Sequence, residues 1–197
     1  MRSLCDYLCE AERAHGHICA GQVLGVRMAM LGLLKLGLED PQNNKEDRKR
    51  LVSFVEIDRC ATDAVSVVTG CRLGKRALKF RDFGKMAATF VDLKTGRAIR
   101  ISAKESSKAL ARQLHPELES KNQQQMLAYR EMADDDLFMT QWVKIELPPE
   151  EFPGYKSERI VCDSCGEGVN FRREVRRDGK TLCRSCAGEG YYEVLGP

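Results

Sequence analysis

Cys162, Cys165, Cys183 and Cys186 form two CxxC pairs separated by seventeen residues, and this spacing constrains the chain more than any other feature. Four soft sulfur donors suit tetrahedral zinc. Each pair can offer two thiolates from one tight turn, with Gly166 relaxing the first turn, while "VNFRREVRRDGKTL" has the pattern of a hairpin between the pairs. Redox-active CxxC motifs and an iron cluster are the competing chemistries. A thioredoxin-like motif normally occurs once, at a strand-to-helix junction, so two paired copies favour closed coordination. A segment of roughly forty residues is too small for a self-sufficient apolar core, so Zn2+ here would be structural and supply folding free energy.

"PPEEFPGYKS", residues 148–157, holds three of the six prolines and has no periodic apolar face. It reads as a linker, giving a core domain over 1–150 and a four-cysteine domain over 151–197. Residues 157–197 carry seven basic and seven acidic side chains, and the whole chain a net charge of only +3. That balance makes nucleic acid an unlikely partner and favours a protein contact through the finger, although Arg172, Arg173, Arg176 and Arg177 could meet phosphate. The longest apolar stretch, Val23 to Leu38, is broken by Arg27 and Lys35 and is short for a membrane span, so no membrane association is expected. The first sixteen residues lack the apolar centre of an export signal, and nine cysteines is an odd number. Both points favour a cytoplasmic protein with reduced thiols.

Within the core, Leu4, Leu8 and Ala11 recur at helical spacing, and Gln22 to Leu38 reads as a central buried helix. Residues 39–50 look like a charged, solvated loop. "LVSFVEID" has strand composition, "CATDAVSVVTG" resembles a helix closed by Gly70, and the alternation around Lys94 to Arg97 predicts an antiparallel hairpin. Two helices divided by His115 and Pro116 should follow over 102–139, with "QWVKIEL" returning as a strand. The fold class is α+β, with a mixed or antiparallel sheet packed with helices.

"ERAHGHICAGQVLG" places His15, His17 and Cys19 directly before the central helix. In an extended segment, side chains two apart share a side, and imidazole with thiolate suits zinc, nickel, copper or iron. Cys19 and Cys60 both precede or open helices, where free amides and the helix dipole favour an anionic sulfur. Folded together, these starts would make one site from His15, His17, Cys19 and Cys60. Asp63, three positions after Cys60, could act there as ligand or proton acceptor, or simply stabilise the helix start. The blander reading has the histidines serving loop hydrogen bonds and the cysteines packed as small hydrophobes. Cys71 is a weaker candidate, His115 a simple loop residue, and Cys5 and Cys9, four apart on a helix, could bind metal or merely pack.

The motifs "HGHICAGQVLGVRMA", "VEIDRCATDAVSVVTGCRLGK" and "KFRDFGKMA", together with the terminal cysteines, resemble the FmdE family, named for a component of formylmethanofuran dehydrogenase. The resemblance covers nearly the whole chain. It implies a treble-clef or zinc-ribbon module at the C-terminus, a homodimer, and an active site lined by His15, His17, Cys19 and Cys60. Ala20 and Arg72 depart from the family pattern, and Arg72 could alter the charge or entrance of the pocket. The implied function is that of a metal-binding accessory protein or oxidoreductase-related enzyme in one-carbon metabolism. Cys60 and Asp63 are its candidate catalytic residues, and the core site would hold a second transition metal. The alternative is a noncatalytic metal carrier or assembly factor that docks through its finger. Membership alone does not make the chain an enzyme, and its small-molecule ligand is not specified.

Overall fold

A computed structural model describes residues 2–195, and the chain divides into two compact units, the first ending at Glu146 and the second beginning at Leu147. The first unit opens with helix α1 (Leu4–His15). Ser3 Oγ accepts from the Asp6 amide while the Asp6 carboxylate accepts from the Ser3 amide, a reciprocal cap. The helix buries Tyr7, Leu8 and Ala11 and stops at Gly16, whose φ of 93° is a left-handed conformation that glycine adopts without strain. Helix α2 (Ala20–Leu36) follows and is buried on nearly all sides. No helix of the described residues is long and apolar enough to cross a membrane.

Residues 39–50 are not wholly loop, because helix α3 (Lys45–Arg50) forms within them. The Asn44 side chain caps the amides of Glu46 and Asp47, and acids in the first turn and bases in the last complement the helix dipole. Strand β1 (Leu51–Val55) leads to helix α4 (Cys60–Thr69), which Gly70 ends as expected. Strand β2 (Leu78–Phe80) then pairs parallel with β1. Its three residues are too few to show an alternating pattern, which is why sequence periodicity passes over it. Strands β3 (Ala87–Asp92) and β4 (Ala98–Ala103) form the expected hairpin.

Helices α5 (Ser106–Leu114), α6 (Lys121–Glu131) and α7 (Asp134–Leu137) precede strand β5 (Phe138–Val143). This last strand starts three residues before "QWVKIEL", anchored by buried Phe138 opposite Ala103. The sheet order is β2-β1-β3-β4-β5, antiparallel apart from the β1–β2 pair, so the unit is α+β with a mixed sheet.

Two glycines set the depth of α2 in this core. A Cβ on Gly32 would come within 2.2 Å of the Phe90 ring, and one on Gly25 within 2.5 Å of the Ala61 carbonyl oxygen. Arg27, on the same helix, donates to the carbonyls of Tyr129 (2.9 Å) and Met132 (2.5 Å) and to Asp134 (2.5 Å), fixing the end of α6. At the β3–β4 turn, buried Asp92 accepts from the Arg50 guanidinium, from Thr95 Oγ1 at 2.7 Å and from the Lys94 amide at 3.0 Å. Burial by itself would raise the Asp92 pKa, but these donors outweigh it and hold the carboxyl at about 2.

In the second unit, strands β6 (Ile160–Val161) and β7 (Gly168–Val169) form one short hairpin, and β8 (Val175–Arg177) and β9 (Lys180–Leu182) a second. Asp178 and Gly179 make the tight turn of the second hairpin at φ 50° and 73°. A helical turn, Ser185–Glu189, closes the unit.

Replacing Gly25 by Ala should force α2 away from the Ala61 backbone and cost about 1–3 kcal/mol, seen as a lowered thermal midpoint. Gly74→Ala, where a Cβ meets nothing within 4 Å, serves as the neutral control. The depressed Asp92 pKa makes its pair stabilising above the unfolded carboxyl value and lost as pH falls through the folded one. Chemical unfolding measured from about pH 4 down to about pH 2 should therefore lose about 2 kcal/mol in the native protein, and that slope should shrink in Asp92→Asn.

Candidate metal centre

The core site grows from three chain ends that meet. α1 finishes at His15, Gly16 reverses the chain, and Cys19 is the extended residue that precedes α2, at φ −147° and ψ 170°. His15 is thus helical, and the side-sharing rule for extended residues does not apply to it. The turn at Gly16 nevertheless brings the His15 and His17 rings to 4.8 Å between centroids.

Cys60 opens α4, and α4 lies so close to α2 that a Cβ on Gly21 would sit 3.2 Å from Cys60 Cβ and 3.6 Å from Cys19 Sγ. Residues 19 and 60 therefore bracket one glycine. His15 Nδ1 lies 2.8 Å from Asp63 Oδ2, one turn along α4 from Cys60. With Nδ1–H donating to the carboxylate, Nε2 is left as the ring's lone-pair donor, so Asp63 serves as the group that orients His15.

Two residues of this region escaped the motif reading. Gln22 is fully buried, donates Nε2–H to the Cys60 carbonyl at 2.9 Å and leaves its Oε1 without a partner. Asn122 Oδ1 accepts from the first amide of α2, Ala20, at 3.3 Å. The signal for Gln22 was its polarity within the apolar "AGQVLG"; Asn122 gave none, being about a hundred residues away in sequence.

The electrostatics depart from the helix-start argument. Burial and then the adjacent Cys19 sulfur push the Cys60 thiol up, because desolvation and a neighbouring thiol outweigh the pull of the helix amides. Cys71 does not join the site. It is fully buried beyond the other end of α4, about 15 Å along the helix, with Ser53 Oγ at 3.5 Å. Arg72 follows it there, so it does not border the entrance. His115 caps the end of α5 and is held by Glu131 at 2.7 Å and Glu117 at 3.2 Å.

Among the described residues, one group of three or more potential donors lies with all its ligand atoms within 4.8 Å of one another: Cys162, Cys165, Cys183 and Cys186. The core donors instead form two pairs, His15 with Asp63 and Cys19 with Cys60. In the finger, the Gly166 amide donates to the Cys162 carbonyl at 3.0 Å, and φ of 73° at Gly166 makes that turn possible. The Cys183 amide points at Cys162 Sγ (3.2 Å) and the Cys186 amide at Cys183 Sγ (3.4 Å).

Zinc–sulfur bonds of about 2.3 Å imply tetrahedral edges of about 3.8 Å. Cys165 and Cys183 sulfurs stand 3.9 Å apart, so the donor set fits the ion. Backbone donors at Cys165 and Cys183 hold the Cys162 thiol down at about 6. Although a hydrogen bond from the Glu167 backbone favours its thiolate, burial and the three neighbouring sulfurs push Cys165 up to about 12. Four thiolates so close repel one another, and a divalent cation removes that repulsion.

Fold and cysteine geometry together define an α+β protein with a four-cysteine zinc finger. The family model described as FmdE, of the molybdenum formylmethanofuran dehydrogenase operon, matches residues 14–139. The prokaryotic dksA/traR C4-type zinc finger matches residues 154–192. The chain belongs to the FmdE family.

A curated relative, the probable S-adenosyl-L-methionine-binding protein of Archaeoglobus fulgidus, is 33% identical over 211 aligned positions that cover 96% of this chain and 54% of the relative. The chain thus spans about half the length of that protein. The crystal structure of an FmdE-like protein of the tungsten formylmethanofuran dehydrogenase type, from Syntrophus aciditrophicus, shares the fold. Its TM-score is 0.64 at 23% identity, over 98% of this chain and 96% of that one.

Elemental analysis of the purified full chain should show zinc that Cys162→Ser or Cys186→Ser removes. Protease digestion of either variant should then clip residues beyond Leu147 while the first unit persists.

Proposed function

We propose that this chain is a metal-binding accessory protein or oxidoreductase-related enzyme of one-carbon metabolism, working in the cytoplasm as a homodimer. Its reactive centre is the meeting point of α1, α2 and α4. The convergence of Cys19 and Cys60 on Gly21 carries the reading, since two sulfurs brought together from positions 41 residues apart sit beside an imidazole already oriented by a carboxylate. His15 Nε2, a ring nitrogen of His17 and the two thiolates are the donors that would hold a transition metal ion, and such a set suits zinc, nickel, copper or iron.

A bound ion would supply Lewis acidity or a seat for a thiol-bearing ligand. The protein's own part is to fix the imidazole through Asp63, to anchor the α4 start through Gln22, and to offer Cys60 as a ligand or nucleophile. The finger then serves as a docking element for a partner protein. The name of the archaeal relative makes S-adenosyl-L-methionine the first small molecule to test. A noncatalytic metal carrier is the second reading. The exposed face of His17 and the shallow seating of Cys19 favour exchange of the ion, and a carrier should release its core ion to a chelator while keeping the finger's zinc.

Full-length protein from its native host, assayed for metal content, is expected to hold a second ion besides the finger's zinc. Cys19→Ser, Cys60→Ser and His15→Ala should each lose that ion alone, and Asp63→Asn should weaken its binding about 10–100-fold. Unchanged stoichiometry in both cysteine variants would rule out the core centre.

A further inference from the structure

α1 carries a second pair of thiols that the core site does not use. Cys5 and Cys9 are four residues apart and so lie on one face of the helix, and both are exposed, which excludes the packing role such a pair often has. With Leu8, Glu12, Ile18 and Arg130 they line one hollow at the surface of the first unit. The helix that presents them is held at both ends, by the Ser3–Asp6 cap and by Gly16, and is anchored on its opposite side by Tyr7 and Ala11. The pair is therefore presented in a fixed geometry.

Helix spacing decides what such a pair can do. Cβ atoms four residues apart stand about 5–6 Å from each other, whereas a disulfide needs about 3.5–4.5 Å. The pair cannot close on itself without unwinding α1. Zinc asks for four donors, and among the described residues only the finger's cysteines gather in that number. A soft ion satisfied by two thiolates fits instead.

We infer that Cys5 and Cys9 form a two-coordinate site for a thiophilic monovalent cation, Cu(I) being the ion of that class. Two Cu–S bonds form, two S–H bonds break and both protons pass to solvent, while copper stays Cu(I) and no electrons move. The resulting bis-thiolate complex carries one negative charge. Arg130, which makes no ion pair with another described residue, is the cation in the same hollow that offsets it. Leu8 and Ile18 wall the hollow with apolar surface, sheltering the metal–sulfur bonds from water. This site is independent of the core centre, sharing none of its donors.

The test is anaerobic titration of zinc-loaded, full-length protein with Cu(I) against a chromogenic competitor. Cys5→Ser and Cys9→Ser should each lose one tight equivalent of Cu(I) with zinc content and helical circular dichroism unchanged, whereas Cys19→Ser/Cys60→Ser should keep it. Arg130→Glu should weaken that equivalent about tenfold. Copper X-ray absorption of the singly loaded protein should show two sulfur neighbours. The inference is overturned if both single variants keep the equivalent, if only Cys19→Ser/Cys60→Ser loses it, or if copper shows three or four sulfurs taken from the finger.

Discussion

The first unit depends on the close approach of α2 to α4. At Gly25 the backbone of one helix rests against the Ala61 backbone of the other, and at Gly21 the gap is filled by the sulfur of Cys19 and the Cβ of Cys60. No residue larger than glycine fits the first position without moving a helix. Depth of packing and chemistry are therefore one constraint. The same contact that closes the core brings the two helix starts into register, and Gln22 secures them by bonding the Cys60 carbonyl from inside the core. His15 reaches Asp63 because α1 packs on α4 with its C-terminal end at this same corner.

The two units satisfy different physical requirements. The first has apolar residues enough to fold around α2 and one face of a five-stranded sheet, with polar anchors such as Arg27 and Asp92 saturating backbone and charge at its margins. The second has two hairpins of two or three residues a strand and few buried side chains, Cys162 and Ala187 among them. Its order comes from sulfur ligands and the backbone amides that point at them. Such a unit is a natural place for a docking function, because its surface residues are free of core duties.

Cysteine in this chain takes four different environments, and the differences are tertiary. Cys71 is sealed in the core, where burial raises its pKa and keeps it inert. Cys19 and Cys60 are half-buried against each other, Cys5 and Cys9 lie open on a helix face, and the last four surround a metal-sized space. Residue type alone ranks them equally; burial and neighbours separate inert thiols from ligands.

Much of this was legible along the chain, because local rules act over a few residues. The glycine stops at Gly16, Gly37 and Gly70, the Lys94–Arg97 hairpin and the paired CxxC turns are all properties of short windows, and each appears where the pattern places it. The α3 helix inside a charged stretch and the three-residue β2 were not readable, since a capping side chain and a parallel partner decide them. What the sequence by itself determined was the fold class, the zinc ligands and the residues available for a core site. Only the tertiary structure decided that Asp63 belongs to His15, that Cys60 and not Cys71 meets Cys19, and that Cys5 and Cys9 face solvent. Those outcomes depend on how closely two helices approach through glycine, a distance set by packing between residues some forty positions apart.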